Sequence, residues 1–176
     1  MIFRLAKEAD FPEIMEMIRE AQAALRRDQV PQWQNGYPTE EIIREDIRKG
    51  ENYVCEENGR LVGTMVLSFA GESTYQTIYD GQWMTEGESY GVIHRLAVSE
   101  QRKRMGVAKF MLVQAFQKCQ KRKVKSLRID THEKNRAMRS WLEKNQFHFC
   151  GKIFLASQGD PRVAYEQMIS TENESK

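Results

Sequence analysis

Apolar positions along the chain fall into two spacings, and the switches between them predict the elements. Ile2, Phe3 and Leu5 read as a short strand. Asp10-Phe11-Pro12-Glu13 then reads as a helix start, with Asp10 as N-cap, a glutamate three residues on and a proline in the first turn. Ile14, Met17, Ile18, Ala21 and Leu25 follow at three- and four-residue intervals and make one apolar face. Residues 30–38, with two prolines and an Asn-Gly, are a loop. Thr39 caps a second helix that turns Ile42, Ile43 and Ile47 inward and stops at Gly50. Strands at 53–55 and 61–67 flank Asn58-Gly59, a strong hairpin signal.

Residues 71–89 are rich in turn formers, yet Tyr75, Ile78, Tyr79, Trp83 and Met84 are too many large apolar groups for a passive linker. A strand at 90–98 precedes a helix over 104–121, with Met105, Ala108, Met111, Leu112, Ala115, Phe116 and Cys119 on one face. A strand at 124–129, a helix at 134–144 and strands at 147–155 and 163–169 complete the series, and 170–176 read as a flexible tail. The pattern predicts one mixed α/β domain over 1–169. Its strand–helix–strand units at 90–130 and 124–155 imply parallel pairing, because such crossovers join parallel strands.

Composition narrows the class. Of 176 residues, 40% are apolar and 30% charged, as in a soluble globular protein. No apolar run approaches the ~20 residues of a membrane span. Arg4, Lys7, Glu8 and Asp10 sit where a signal peptide needs an apolar stretch, so a cytoplasmic location and no membrane partner are expected. Cys55, Cys119 and Cys150 are odd in number and far apart, which fits free buried thiols rather than disulfides or a metal site.

The net charge of +2 hides a strong segregation. Residues 1–100 hold 10 Lys and Arg against 18 Asp and Glu, whereas 101–128 hold 10 basic and no acidic residues. Such a block attracts a polyanion, and nucleic acid, a phosphorylated cofactor and a merely solvated face are the three candidates. Nucleic acid fits poorly, because interleaved aromatics and any recognised module are missing.

The informative stretch is 98–112, VSEQRKRMGVAKFML. A strand ends at Val98, a basic turn follows, and Gly106 and Ala108 fall in the first turn of a helix. Small residues there admit a ligand to the unpaired amides of the helix end, and Lys103, Arg104 and Lys109 add positive charge, so a pyrophosphate is the natural guest. Close helix–sheet packing is the alternative use for Gly106 and Ala108. The three-glycine dinucleotide fingerprint and the P-loop are both absent.

Lys103-Arg104-Met105-Gly106-Val107-Ala108 resembles the Gln/Arg-x-x-Gly-x-Gly/Ala motif of the GCN5-related N-acetyltransferase (GNAT) superfamily, and residues 135–147 (NRAMRSWLEKNQF) resemble its second signature. The resemblance covers nearly the whole chain. It implies a mixed twisted sheet of six to seven strands flanked by about four helices, splayed between strands 4 and 5, with acetyl-coenzyme A as cosubstrate. Carried over, the backbone of Leu96, Ala97 and Val98 would pair with the pantetheine arm, as in strand addition. Amides from Lys103 through Arg104, Met105, Gly106, Val107 and Ala108 to Lys109 would hold the pyrophosphate, and Asn135 would lie near the thioester. Pairing of two copies through sheet edges is a further implication.

Departures are equally informative. Lys103 replaces the planar Gln or Arg, Gln146 replaces a glycine, and Leu142 stands at the tyrosine that often serves as general acid. A thiol of pKa near ~8.5 leaves with little help, whereas an amine of pKa near ~10.4 must lose a proton before it attacks. A base therefore matters more than an acid. His94 is the candidate, mid-strand and two residues before Leu96, with a structural histidine as the competing reading. The family's frequent glutamate aligns with Val92, and Glu88 is a weaker alternative. Trp33, Tyr37, Tyr79 and Trp83 are loop aromatics expected either to wall an acceptor pocket or to form a satellite core. The functions in competition are transfer of acetyl to a primary amine of a small molecule or peptide and non-catalytic binding of coenzyme A by a sensor or scaffold.

Overall fold

The computed structural model describes residues 1–87, 89–155 and 159–170. Glu88, the weaker candidate base, lies outside them, as do residues 171–176 of the expected tail.

The elements run β1 (Ile2–Leu5), α1 (Phe11–Arg27), α2 (Glu40–Arg48), β2 (Asn52–Glu57), β3 (Arg60–Ser68), β4 (Tyr90–Val98), α3 (Val107–Lys121), β5 (Ser126–Thr131), α4 (Arg136–Lys144), β6 (His148–Leu155) and β7 (Asp160–Met168). This is the predicted order. The strands form one mixed sheet in the order β1-β2-β3-β4-β5-β7-β6. The β4–β5 pairing is parallel, through Tyr90–Ser126, Gly91–Leu127 and Val92–Arg128. Contacts divide the chain into two compact units, Met1–Leu67 with Ile93–Ala115, and Ser68–Val92 with Phe116–Lys176.

In the first unit, Asn58 and Gly59 both take positive φ, 52° and 74°, the geometry that a two-residue hairpin between β2 and β3 requires. Thr39 caps α2 by accepting from the Ile42 N–H at 3.3 Å. Phe11, Ile14, Met17, Ile18, Ile43, Val54 and Ala97 build the core, with Trp33 packed against it.

One expectation fails here. Asp10 does not cap α1 with its side chain; its carboxylate instead accepts from the Lys7 N–H at 2.7 Å and from both terminal nitrogens of Arg4. The cation and the preceding amide outbid the helix amides. A 3-10 turn at Glu8–Asp10 therefore leads into the helix.

The start of α3 also moves. A helix from Arg104 would bury Met105, but Arg104 and Gly106 have φ of 64° and 85°, and helical conformation begins only at Val107. Met105 is left 59% exposed, and Val107 takes the inward place.

In the second unit, β5 begins two residues later than the pattern suggests and α4 begins at Arg136. Tyr75, Tyr90, Val92, Ile153 and Ala164 form its core, with Ile78, Trp83 and Leu155 packed against them. Segment 71–89 is bound to β6 by a bridge from Tyr79 to Lys152, and Gly81 makes the approach possible: a Cβ there would meet the Cys150 carbonyl at 2.0 Å.

Candidate functional site

The approach to α3 has the form of an anion cradle. The first α3 hydrogen bond is from the Phe110 N–H to the Gly106 carbonyl at 2.9 Å, so the amides of Val107, Ala108 and Lys109 precede the helical ladder and face its open end. A Cβ on Gly106 would meet nothing within 4 Å, so this glycine is needed for its φ of 85° and not for packing. Helix packing is served elsewhere: at Gly63 of β3, a Cβ would lie 2.6 Å from Met111 Sδ and 2.9 Å from Val107 Cγ1. Arg104 adopts a left-handed conformation that costs a non-glycine residue about 1–2 kcal/mol. Arg104 and Lys109 are exposed beside the free helix end. Lys103 instead pairs with Glu100, whose carboxyl it holds below the ordinary range. These residues fit a pyrophosphate, through three amides, the helix dipole and two cations.

Leu96 and Val98 are partly buried on β4 while Ala97 points into the core at 5% exposure. Arg95 breaks the regularity of the strand with φ 49°. Its guanidinium lies 2.7 Å from the Asp46 carboxylate through Nε and donates from Nη1 to the Tyr37 hydroxyl at 2.6 Å. Asp46, on α2, is buried. Burial raises its carboxyl above the ordinary value although Arg95 and the neighbouring His94 pull the other way. His94, partly buried, thus sits beside a buried ion pair. Tyr37 serves that pair, and Trp33 belongs to the core periphery.

In the second unit, the Asn135 Oδ1 caps α4, accepting from the Met138 N–H at 3.1 Å. Leu142, at the family's tyrosine position, is fully buried, as is Val92. Trp83 lines a cleft of about 990 Å³ with Glu72, Tyr75, Gln76, Glu86, Tyr90 and Arg128. Tyr79 is not among the lining residues; it stacks edge-on against Phe154 of β6. The cleft is braced by Glu166, which accepts from Arg128 Nε at 2.9 Å and from the Met84 and Thr85 N–H groups, while Arg128 Nη2 donates to the Thr85 carbonyl at 2.8 Å. Burial alone would raise the Glu166 carboxyl, but the Ser126 and Thr85 hydroxyls and Arg128 hold it below the usual range.

Sequence reasoning missed Asp46, Arg95, Arg128 and Glu166. The available signal was a charge inside a run read as a strand: Arg95 in VIHRLAV, Arg128 in SLRID and Glu166 in VAYEQM. A buried strand tolerates such a charge only with a partner.

Residues 18–147 match the acetyltransferase (GNAT) family. A search of curated proteins returns no match. Among solved structures, a GNAT-family acetyltransferase of Streptococcus agalactiae shares 33% identity over 96% of this chain and 95% of that one, at a TM-score of 0.87. A GNAT-family acetyltransferase of Listeria monocytogenes shares 20% identity over 95% and 94%, at 0.71. The PaiA N-acetyltransferase of Thermoplasma acidophilum, solved in complex with coenzyme A, shares 15% over 95% and 98%, at 0.68. The last two bear on the fold alone.

Proposed function

We propose a specific acetyl-transfer activity for this chain, which belongs to the acetyltransferase (GNAT) family: movement of acetyl from acetyl-coenzyme A to a primary amine by direct attack. The observation that carries the reading is the cradle at the start of α3, where the left-handed Arg104 and Gly106 present the amides of Val107, Ala108 and Lys109. Acetyl-coenzyme A supplies an activated thioester. The chain's part is to hold and orient. Arg104 to Lys109 take the pyrophosphate and the backbone of Leu96, Ala97 and Val98 aligns the pantetheine arm, while Asn135 is assigned a cofactor contact because the second signature implies it.

An ammonium acceptor must lose a proton before its nitrogen can attack, and His94 is assigned as the base that takes it. Asp46 and Arg95 flank the histidine and are assigned as positioning residues. The acceptor is a small-molecule or peptide amine, with no role for metal, nucleic acid or membrane. We assign the working protein to the cytoplasm, with pairing of two copies through sheet edges as a further part of this reading.

One observation favours a second reading, a coenzyme A-binding sensor or scaffold: the fully buried Leu142 at the tyrosine position leaves that position without an acid. Release of free thiol from acetyl-coenzyme A across a panel of amines decides between them. Amine-dependent release is the expected result; tight cofactor binding with no release for any amine would favour the sensor.

A further inference from the structure

The cradle at the start of α3 depends on a turn that is costly to hold. Arg104 and Gly106 both take left-handed backbone, with φ of 64° and 85°, and at Arg104 such a conformation persists only where the surroundings over-determine it. The anchors of the turn lie within the first unit. The Ser99 N–H donates to the Val62 carbonyl of β3 at 3.1 Å, and the Arg102 N–H closes a 3-10 turn on the Ser99 carbonyl at 2.8 Å. The Arg102 guanidinium then meets Glu57 of β2 at 3.0 Å.

Helix α1 takes hold of the same turn at Glu100. The Glu100 N–H donates to the Glu20 carboxylate at 2.8 Å, and its own carboxylate pairs with both Lys103 and Arg27. Glu20 and Arg27 are two helical turns apart, so both rise from one side of α1, whose Ile14, Met17 and Ile18 are fixed in the core. The two contacts differ in strength. Arg27 stands 3.8 Å from Glu100 with its side chain 65% exposed, and such a pair contributes little. Glu20 is partly buried, and its bond joins an ionised acceptor to a backbone amide, which is the stronger kind.

We propose that Glu20 is a positioning residue for coenzyme A: by accepting the Glu100 N–H it holds the 99–106 turn in the conformation that presents the amides of Val107, Ala108 and Lys109 to the pyrophosphate. This rests on the cofactor site of the acetyl-transfer reading and deepens it. Glu20 acts through the turn and not by contact with the cofactor. Charge gives the proposal a sign. A carboxylate that acted on the anion by charge alone would weaken its binding, whereas one that holds the turn strengthens it.

The test is calorimetric binding of coenzyme A, beside hydrogen exchange of the cofactor-free protein, for the wild type, Glu20→Ala, Glu20→Gln and Arg27→Ala. Glu20→Ala is expected to bind coenzyme A about fivefold more weakly and to exchange the 99–106 amides about fivefold faster, the loss of one hydrogen bond. Glu20→Gln keeps an oxygen that accepts the same N–H and is expected to restore both, and Arg27→Ala to leave both unchanged. Coenzyme A binding to Glu20→Ala as tight as to the wild type, or tighter, would overturn the proposal. So would equal weakening in Glu20→Gln, because charge and not the accepted hydrogen bond would then be at work. The exchange experiment needs no cofactor. Faster exchange in Glu20→Ala, with a wild type that does not bind coenzyme A, would sink the transfer reading and leave Glu20 as the anchor of the turn. Wild-type binding that Glu20→Ala leaves intact would sink only the role of Glu20.

Discussion

At the scale of single residues, the arrangement turns on side chains whose neighbours constrain them. His94 stands on β4 next to the Arg95–Asp46 pair, and its proposed work is to accept one proton from the acceptor amine. Replacing His94 by alanine is expected to lower kcat by about a hundredfold with a much smaller change in the acceptor KM, and more than about a third of the activity remaining would remove it from the mechanism. Arg95 carried a signal as a charge within a strand, but its pairing with Asp46 was illegible, because a charge on a helix face and a charge in a strand reveal nothing of each other until the chain folds. Gly106 was legible, but its reason was not. Packing and backbone freedom both call for glycine, and only the open space around it together with its φ of 85° separates them.

At the scale of elements, the sequence predicted the order of strands and helices through its periodicities, and it misplaced ends where local hydrogen bonding competed with helix formation. Asp10 is such a case: the Arg4 guanidinium and the Lys7 amide claim the carboxylate meant for the helix. The segment between β3 and β4 resisted reading for another reason. It is ordered by partners distant in sequence, chiefly Glu166 on β7 and Arg128 on β5. Glu166→Gln leaves the buried guanidinium without its counter-charge and is expected to cost about 3–5 kcal/mol of unfolding free energy at pH 7, read by chemical denaturation. Because the folded state holds the Glu166 carboxyl below its unfolded value, its contribution is present above the ordinary glutamate range and lost as pH falls through the folded value. The gap between wild type and variant should therefore narrow below about pH 4. A gap that stays constant to pH 3 would mean that the pair does not stabilise the fold as described.

At the scale of the molecule, family membership was legible because two short motifs fell at the right places in a predicted order of elements, and the match over residues 18–147 bears it out. The acceptor side was not legible. Four loop aromatics looked alike in sequence, but Trp33 joins a core, Tyr37 holds Arg95, Tyr79 meets β6 and Trp83 alone lines the cleft. The cysteines behave as their spacing suggested. All three are buried and free, and burial lifts the thiols of Cys55 and Cys150 to about 11 and that of Cys119 to about 12. Native protein at pH 8 is expected to react with a disulfide reagent far more slowly than free cysteine, with all three thiols appearing in denaturant; one fast thiol in the native protein would contradict this burial.

The most direct test of the acetyl-transfer account is thermal unfolding with acetyl-coenzyme A, beside ATP, for the wild type and for Gly106→Ala. Binding at a Kd near ~10 μM gives about 2.7 kcal/mol at ~1 mM ligand, a rise of roughly 5–11 °C for a domain of this size. That rise in the wild type, absent with ATP and diminished in Gly106→Ala after allowance for the variant's own lower Tm, is the expected result. No rise with acetyl-coenzyme A would contradict the account.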